Sequence, residues 1–118
     1  MAWSEWKKFG GSGIKIPHWS FNPRKLDANG GSIVTFNVAD YSTINIELLH
    51  NEYIRTYSRF DIYEGTGTSG TKIYANPEDK GDYNNISIDI SQYDVITIDS
   101  YAYSYSTESS YIENMVIS

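Results

Sequence analysis

From residue 31 onward, apolar side chains recur at every second position. Val34, Phe36 and Val38 alternate with Thr35 and Asn37, and Ile44, Ile46 and Leu48 alternate with Asn45 and Glu47. Phe60 and Ile62 alternate with Arg59, Asp61 and Tyr63, Ile86, Ile88 and Ile90 with Ser87 and Asp89, and Ile96 and Ile98 with Thr97 and Asp99. A strand turns successive side chains to opposite faces, so this period of two predicts strands with one buried face. Shorter candidates are Ile14 to Ile16, Lys72 to Ala75 and Tyr111 to Ile117, about eight strands altogether. No window of ten or more residues holds a helical period. Turn signals separate the strands: Asn29-Gly30-Gly31, the run Glu64 to Gly70 and the loop Asn76 to Asp82. Many short strands divided by such turns predict an antiparallel sandwich or barrel.

The chain divides into an N-terminal aromatic arm, residues 1–13, and a single domain, residues 14–118. The arm carries Trp3, Trp6 and Phe9 at spacing three, ended by Gly10, Gly11 and Gly13. It reads as one helical turn begun by Ser4 or as an extended arm, and either plugs one end of the core or docks on a partner protein. The chain opens on Met1 and closes on a strand-like run, which fits a complete small gene product as well as an excised domain with an added Met.

One stretch echoes another. Residues 36–46, FNVADYSTINI, match residues 88–98, IDISQYDVITI, at an offset of 52, with Tyr41 on Tyr93 and Ile44 on Ile96. The shared unit is a strand, a corner with a tyrosine, and a second strand. A corner tyrosine can bury its ring at the core edge and leave its hydroxyl to bond a neighbour. This is either a two-fold repeat or two uses of one corner. The string Ile88-Asp89-Ile90-Ser91-Gln92-Tyr93-Asp94-Val95-Ile96-Thr97-Ile98-Asp99 resembles the strand–corner–strand element of β-jelly-roll carbohydrate-binding modules and galactose-binding-like domains. Tyr111 to Ile117 is similar to the last strand of such modules, and the resemblance spans residues 30–118. The opening Trp3-Ser4-Glu5-Trp6-Lys7-Lys8-Phe9-Gly10 looks like the start of small tail-associated proteins of phages and prophages. The resemblance implies an all-β, single-domain antiparallel β-sandwich of jelly-roll type that binds sugar without catalysis, on a virion or in an extracellular setting. The later strands carry tyrosine where these modules carry tryptophan.

The polar faces of two strands supply the candidate site. If Ile54, Thr56, Ser58, Phe60 and Ile62 share one face, the other carries Tyr53, Arg55, Tyr57, Arg59, Asp61 and Tyr63. If Ile96, Ile98 and Ser100 share one face, the other carries Thr97, Asp99, Tyr101, Tyr103 and Tyr105. Alternate residues on one face sit about 7 Å apart, so each stripe is a row of rings with polar partners. Such rows suit sugar, whose C–H face stacks on rings while its hydroxyls bond Arg, Asp and Asn. They equally suit a protein interface, where Tyr and Arg concentrate binding energy, or plain cross-strand packing. The ligand-binding candidates are therefore Tyr53, Arg55, Tyr57, Arg59, Tyr63, Tyr101, Tyr103 and Tyr105, with a glycan or a protein surface as partner. The alternative function is a structural subunit of a phage or virion assembly, homo-oligomeric or larger.

Composition narrows the rest. The 118 residues include 11 Tyr against 4 Phe and 3 Trp, and 15 acidic against 9 basic residues give a net charge of −6. That balance leaves no basic surplus for a nucleic-acid face. No run of apolar residues is long enough for a membrane helix, so neither partner is expected. With no cysteine there are no disulfides and no thiolate metal sites. His18 and His50 have nothing at ligand spacing and read as loop or sheet-edge residues. Glu78, Asp79 and Asp82 share a loop but lack the ordered spacing of a Ca²⁺ loop, so no cofactor is assigned. Asp61, Glu64, Asp89, Asp94 and Asp99 could pair in space as glycosidases require, but no nucleophile or phosphate-loop motif accompanies them.

Overall fold

The alternation builds two antiparallel sheets and no helix among the described residues of a computed structural model, which are 7–8, 13–20, 31–51, 58–102 and 110–118. Nine strands follow in order: β1 (Lys7–Lys8), β2 (Ile14–Ser20), β3 (Gly31–Asn37), β4 (Thr43–Asn51), β5 (Ser58–Glu64), β6 (Lys72–Tyr74), β7 (Gly81–Asp89), β8 (Val95–Ala102) and β9 (Tyr111–Ile117). The first sheet has the order β1-β2-β9-β4-β7, and the second β3-β8-β5-β6. Thus β2 pairs with β9, β3 with β8, β4 with β7 and β5 with β6, all antiparallel. The chain from β2 to β9 is one long hairpin with its tip at β5–β6, rolled so that successive pairs fall in alternate sheets. That is a jelly-roll sandwich, as expected. The arm's Trp3, Trp6 and Phe9 lie outside the described residues. Lys7 and Lys8 pair with Lys15 and Ile14.

Buried aliphatics from both inner faces form one cluster, with Ile44, Leu49, Ile62, Ile90, Ile96, Ile98, Ile112 and Ile117 all fully buried. One residue ties the layers together by more than burial. Trp19 on β2 lies edge-to-face on Phe60 of β5, with ring centroids 5.4 Å apart. Its indole N–H donates to the Ser100 hydroxyl of β8 at 3.1 Å. A buried indole needs such a partner, because an unpaired donor in the core is costly.

The echo at offset 52 is a real geometric relation. Phe36 stands opposite Ile96 in the β3–β8 ladder, and Ile88 stands opposite Ile44 in the β7–β4 ladder. The two corners share the same set of backbone-amide bonds. Tyr41 N donates to Val38 O and Tyr93 N to Ile90 O. Ala39 N donates to the Asn37 side chain and Ser91 N to that of Asp89. The corners also bond reciprocally, Val38 N to Asp94 O and Ile90 N to Ser42 O, each at 2.8 Å. Both corner tyrosines pack against the core. The Ser91 amide and then its hydroxyl hold the Asp89 carboxyl below its usual range. A local two-fold therefore relates β3–β4 to β7–β8.

The first sheet departs from simple alternation in one row. Register is continuous in all three ladders, yet Pro17, Asn114, Glu47 and Asn85 fall together between paired positions. Asn114 and Asn85 there adopt left-handed backbone, with φ of 52° and 55°. Each strand changes phase at this row: Ile16 and Trp19 both face the core, as do Ile46 and Leu49, Ile112 and Met115, and Tyr83 and Ile86. Leu48, grouped by period with Ile44 and Ile46, instead faces outward half-buried, and Leu49 takes the core position. Trp19→Ala should lower stability by about 3–5 kcal/mol, and Ser100→Ala by about 1 kcal/mol. Urea unfolding of both variants checks this; a Trp19 loss no larger than that of Ser100 would remove the clamp from the account.

Candidate functional site

Of the eight candidates, Tyr53, Arg55, Tyr57, Tyr103 and Tyr105 lie outside the described residues. Arg59 and Tyr63 sit on β5, and Tyr101 sits on β8 opposite Arg59. The inward face is as expected, with Phe60, Ile62, Ile96, Ile98 and Ser100 buried. The outward face is not an open row in its described part. Asp61 and Asp99 stand directly opposite each other and are 4% and 8% exposed. Like charges placed so destabilise a sheet unless compensated. Compensation comes from Arg59 on Asp99 at 3.0 Å and Lys72 on Asp61 at 3.5 Å, while Asn76 N donates to Asp61 at 2.8 Å. Lys72 also lies over the Tyr63 ring, 5.6 Å from its centroid. The Asp61 carboxylate holds the Lys72 ammonium above its usual range.

Loop 65–70 covers more of this face. Thr97 points outward yet is fully buried, because its hydroxyl donates to Gly65 O at 2.7 Å and accepts from Gly67 N at 2.9 Å. Gly67 has φ +84°, and a Cβ on Gly70 would lie 2.2 Å from Glu64 O, so the fold-back needs glycine at both places. Loop 75–80 is pinned by buried Asn51, whose amide donates to Pro77 O and Asp79 O. The paired carboxylates of this face are thus held by cations and backbone within a closed arrangement.

The open chemistry lies on the outer face of the first sheet. His18 and His50, read from sequence as loop or edge residues, stand on β2 and on interior strand β4. Tyr111 of β9 lies between them, with ring centroids 5.5 Å from His18 and 4.8 Å from His50. His18 Nδ1 contacts Glu113 at 2.6 Å and His50 Nδ1 contacts Asp82 at 2.5 Å. The Tyr111 ring turns its faces to the imidazoles and offers no broad platform to a ligand.

Beside this ladder, the phase-change row opens a groove of about 370 Å³. Lys15, Asn45, Glu47, Asn85, Asn114 and Val116 line it, together with Ile46 and Ile86, whose side chains turn to the core. Its volume falls within the range of small-ligand sites, about 300–1,000 Å³. Asn114 Nδ2 donates to Glu47 Oε1 at 2.9 Å, which fixes both side chains across β9 and β4. Non-glycine residues in left-handed backbone are uncommon, and asparagine is among those that tolerate it. Two in one row, on strands separated by β4, bring four amide or carboxylate groups to one concavity. None of these groove residues was among the sequence candidates. The available signal was the pair of asparagines, Asn85 and Asn114, inside otherwise strand-like runs.

Comparison with protein-family models, curated proteins and solved structures gives no match. The jelly-roll assignment rests on the strand order alone. Among the described residues, no three His, Asp or Glu side chains are grouped to hold a metal ion. In the acidic loop, Asp82 contacts His50, and the Asp79 carbonyl accepts from Asn51 and Tyr83.

Tyr74 supplies a pH marker for the second sheet's edge. Burial first, and then the charges of Asp61 and Tyr83, push its phenol from 10 up to about 12. The neutral phenol is favoured in the folded state, so its contribution is intact below pH 10 and is lost as pH rises toward 12. Stability should fall across that window, and Tyr74→Phe should make the fall shallower. Denaturant unfolding at successive alkaline pH values checks this, and equal slopes for both proteins would refute it.

Proposed function

We propose that this protein is a non-catalytic glycan-recognition module whose binding site is the groove on the outer face of the first sheet. The observation that carries the reading is the aligned pair of left-handed asparagines, which gathers Asn45, Glu47, Asn85 and Asn114 around one concavity. Sugar hydroxyls donate and accept in alternating directions. Amides do both, and a carboxylate accepts from two directions, so this set matches a polyol better than it matches an apolar or anionic ligand. Val116, on the outer face, supplies apolar surface for the C–H face of a ring. The jelly-roll frame and the corner string of residues 88–98 support the same reading by resemblance.

Recognition fits better than hydrolysis for a physical reason. Asp61 and Asp99, a directly opposed carboxylate pair, are each nearly buried and held by a cation. Glycosidic hydrolysis needs one carboxyl kept protonated and another facing water or sugar. In the groove, Glu47 is tied to the Asn114 amide and serves to orient rather than to transfer a proton.

Affinity here is expected in the micromolar to millimolar range, because a shallow polar groove exchanges water contacts for sugar contacts of similar strength. A glycan array followed by calorimetry on the best ligand tests the site. Asn85→Ala and Glu47→Ala should each weaken binding about five- to thirtyfold, since one lost hydrogen bond is about 1–2 kcal/mol. Arg59→Ala on the second sheet should leave affinity unchanged. No binding of any glycan at millimolar concentration would defeat the proposal, and loss of binding in Arg59→Ala alone would move the site to the tyrosine–arginine stripe.

A further inference from the structure

The edges of the two sheets are not equally protected. An edge strand exposes backbone donors and acceptors, and proteins shield such edges with charges, prolines, bulges or brevity. At the far edge of the first sheet, β7 carries Asp82 and Asp89 and the left-handed Asn85 in its middle. At one edge of the second sheet, β6 has three residues, including Lys72, and pairs with an irregular register. The other edge strand of that sheet, β3, has none of these devices. Its seven residues, GSIVTFN, contain no charge and no proline, and its ladder to β8 is regular throughout. Among the described residues β8 is its one strand neighbour. Ile33, on its outward face, is 62% exposed and is the one exposed large hydrophobic among the described residues.

We propose that β3 is a homodimer interface, pairing antiparallel with β3 of a second copy to join two second sheets into one. The charge pattern selects the occupant. The chain carries a net charge of −6, so two copies repel over most of their surfaces. They can approach closely where each presents an uncharged strand, and β3 set against itself brings no like charges together. A two-fold axis at Val34 overlaps all seven residues. It places Ile33 opposite Thr35 of the second copy on the same outward face, because residues related by that axis share a face in an antiparallel ladder. Thr35 is itself exposed, with its hydroxyl 3.0 Å from that of Thr97. Such a contact is isologous and closes at two copies. One added ladder is a small interface, so the dimer is expected to be weak and concentration-dependent. This inference does not depend on the glycan reading, since the groove lies on the other sheet.

Light scattering across a concentration series tests it on the full chain, together with two variants. The wild-type protein should shift from monomer to dimer mass as concentration rises. Ile33→Lys replaces an exposed side chain and sets a charge beside the axis on each copy, so it should raise the dimer dissociation constant at least tenfold while leaving the thermal midpoint of the dilute monomer unchanged. The chain has no native cysteine. The double variant Ile33→Cys/Thr35→Cys should therefore form a covalent dimer on mild oxidation, as opposed strand positions lie within disulfide reach. A monomer at every concentration, a dimer indifferent to Ile33→Lys, or a double variant that stays monomeric on oxidation would each overturn the proposal.

Discussion

The first sheet is organised by one constraint: four neighbouring strands change face at the same row. If one strand alone had shifted phase, its core residues would oppose its neighbours' polar ones, because a one-residue slip turns every side chain over. The shift is shared, so register survives on both sides of Pro17, Asn114, Glu47 and Asn85. Local chemistry permits it. Asn114 and Asn85 adopt the left-handed backbone, and Pro17 lacks the N–H that a regular ladder position would use. Much follows from that row. Trp19 reaches Phe60 and Ser100 only because the phase has changed between Ile16 and itself. The same change turns His18, Tyr111 and His50 outward into a ladder and opens the groove beside it.

Much of the architecture was legible in the sequence because alternation is a direct record of which face is buried. It placed Phe60, Ile62, Ile96 and Ile98 inside and Arg59 and Tyr63 outside, as the structure has them. The echo of residues 36–46 in 88–98 was legible too, and it corresponds to matched hydrogen bonds at two corners. Leu48 was placed wrongly because periodicity has no term for a left-handed residue on an adjacent strand. The phase change of β4 is set jointly by β9 and β7, at positions far away in sequence. His50 was misread for a related reason, whereas His18 does stand at a sheet edge among the described residues, since β1 pairs only Ile14 and Lys15 of β2. The strand holding His18 seemed to end at Ile16, and the strand holding His50 at Leu49, whereas both continue through a change of face.

The tyrosine–arginine stripe shows a second limit of such reading. Period two says that Thr97, Asp99 and Asp61 point away from the core, and they do. It does not say whether something else covers them. Loop 65–70 takes Thr97 as an anchor, and a lysine and an arginine take the two aspartates. The glycines that make the fold-back feasible were visible as a turn, but their destination depends on where Val95 and Thr97 offer hydrogen bonds after the sheet has formed.

The two outer faces therefore have different characters. On the second sheet, charge is buried in opposed pairs and polar side chains are bonded to loops, so its described outer face is largely satisfied from within. On the first sheet, amides and a carboxylate surround an open groove, and the Asn114–Glu47 hydrogen bond fixes two of them. A site preorganised in this way loses little side-chain entropy when a ligand arrives, which matters most for a ligand whose hydrogen bonds barely exceed those it made to water. The uncharged β3 strand lies at the edge of the other sheet, so joining two copies there would leave both grooves open. If the groove binds glycan as proposed, two weak sites held in one dimer would engage a repeating ligand with an effective concentration set by their fixed separation, and the gain would come from geometry rather than from any new contact.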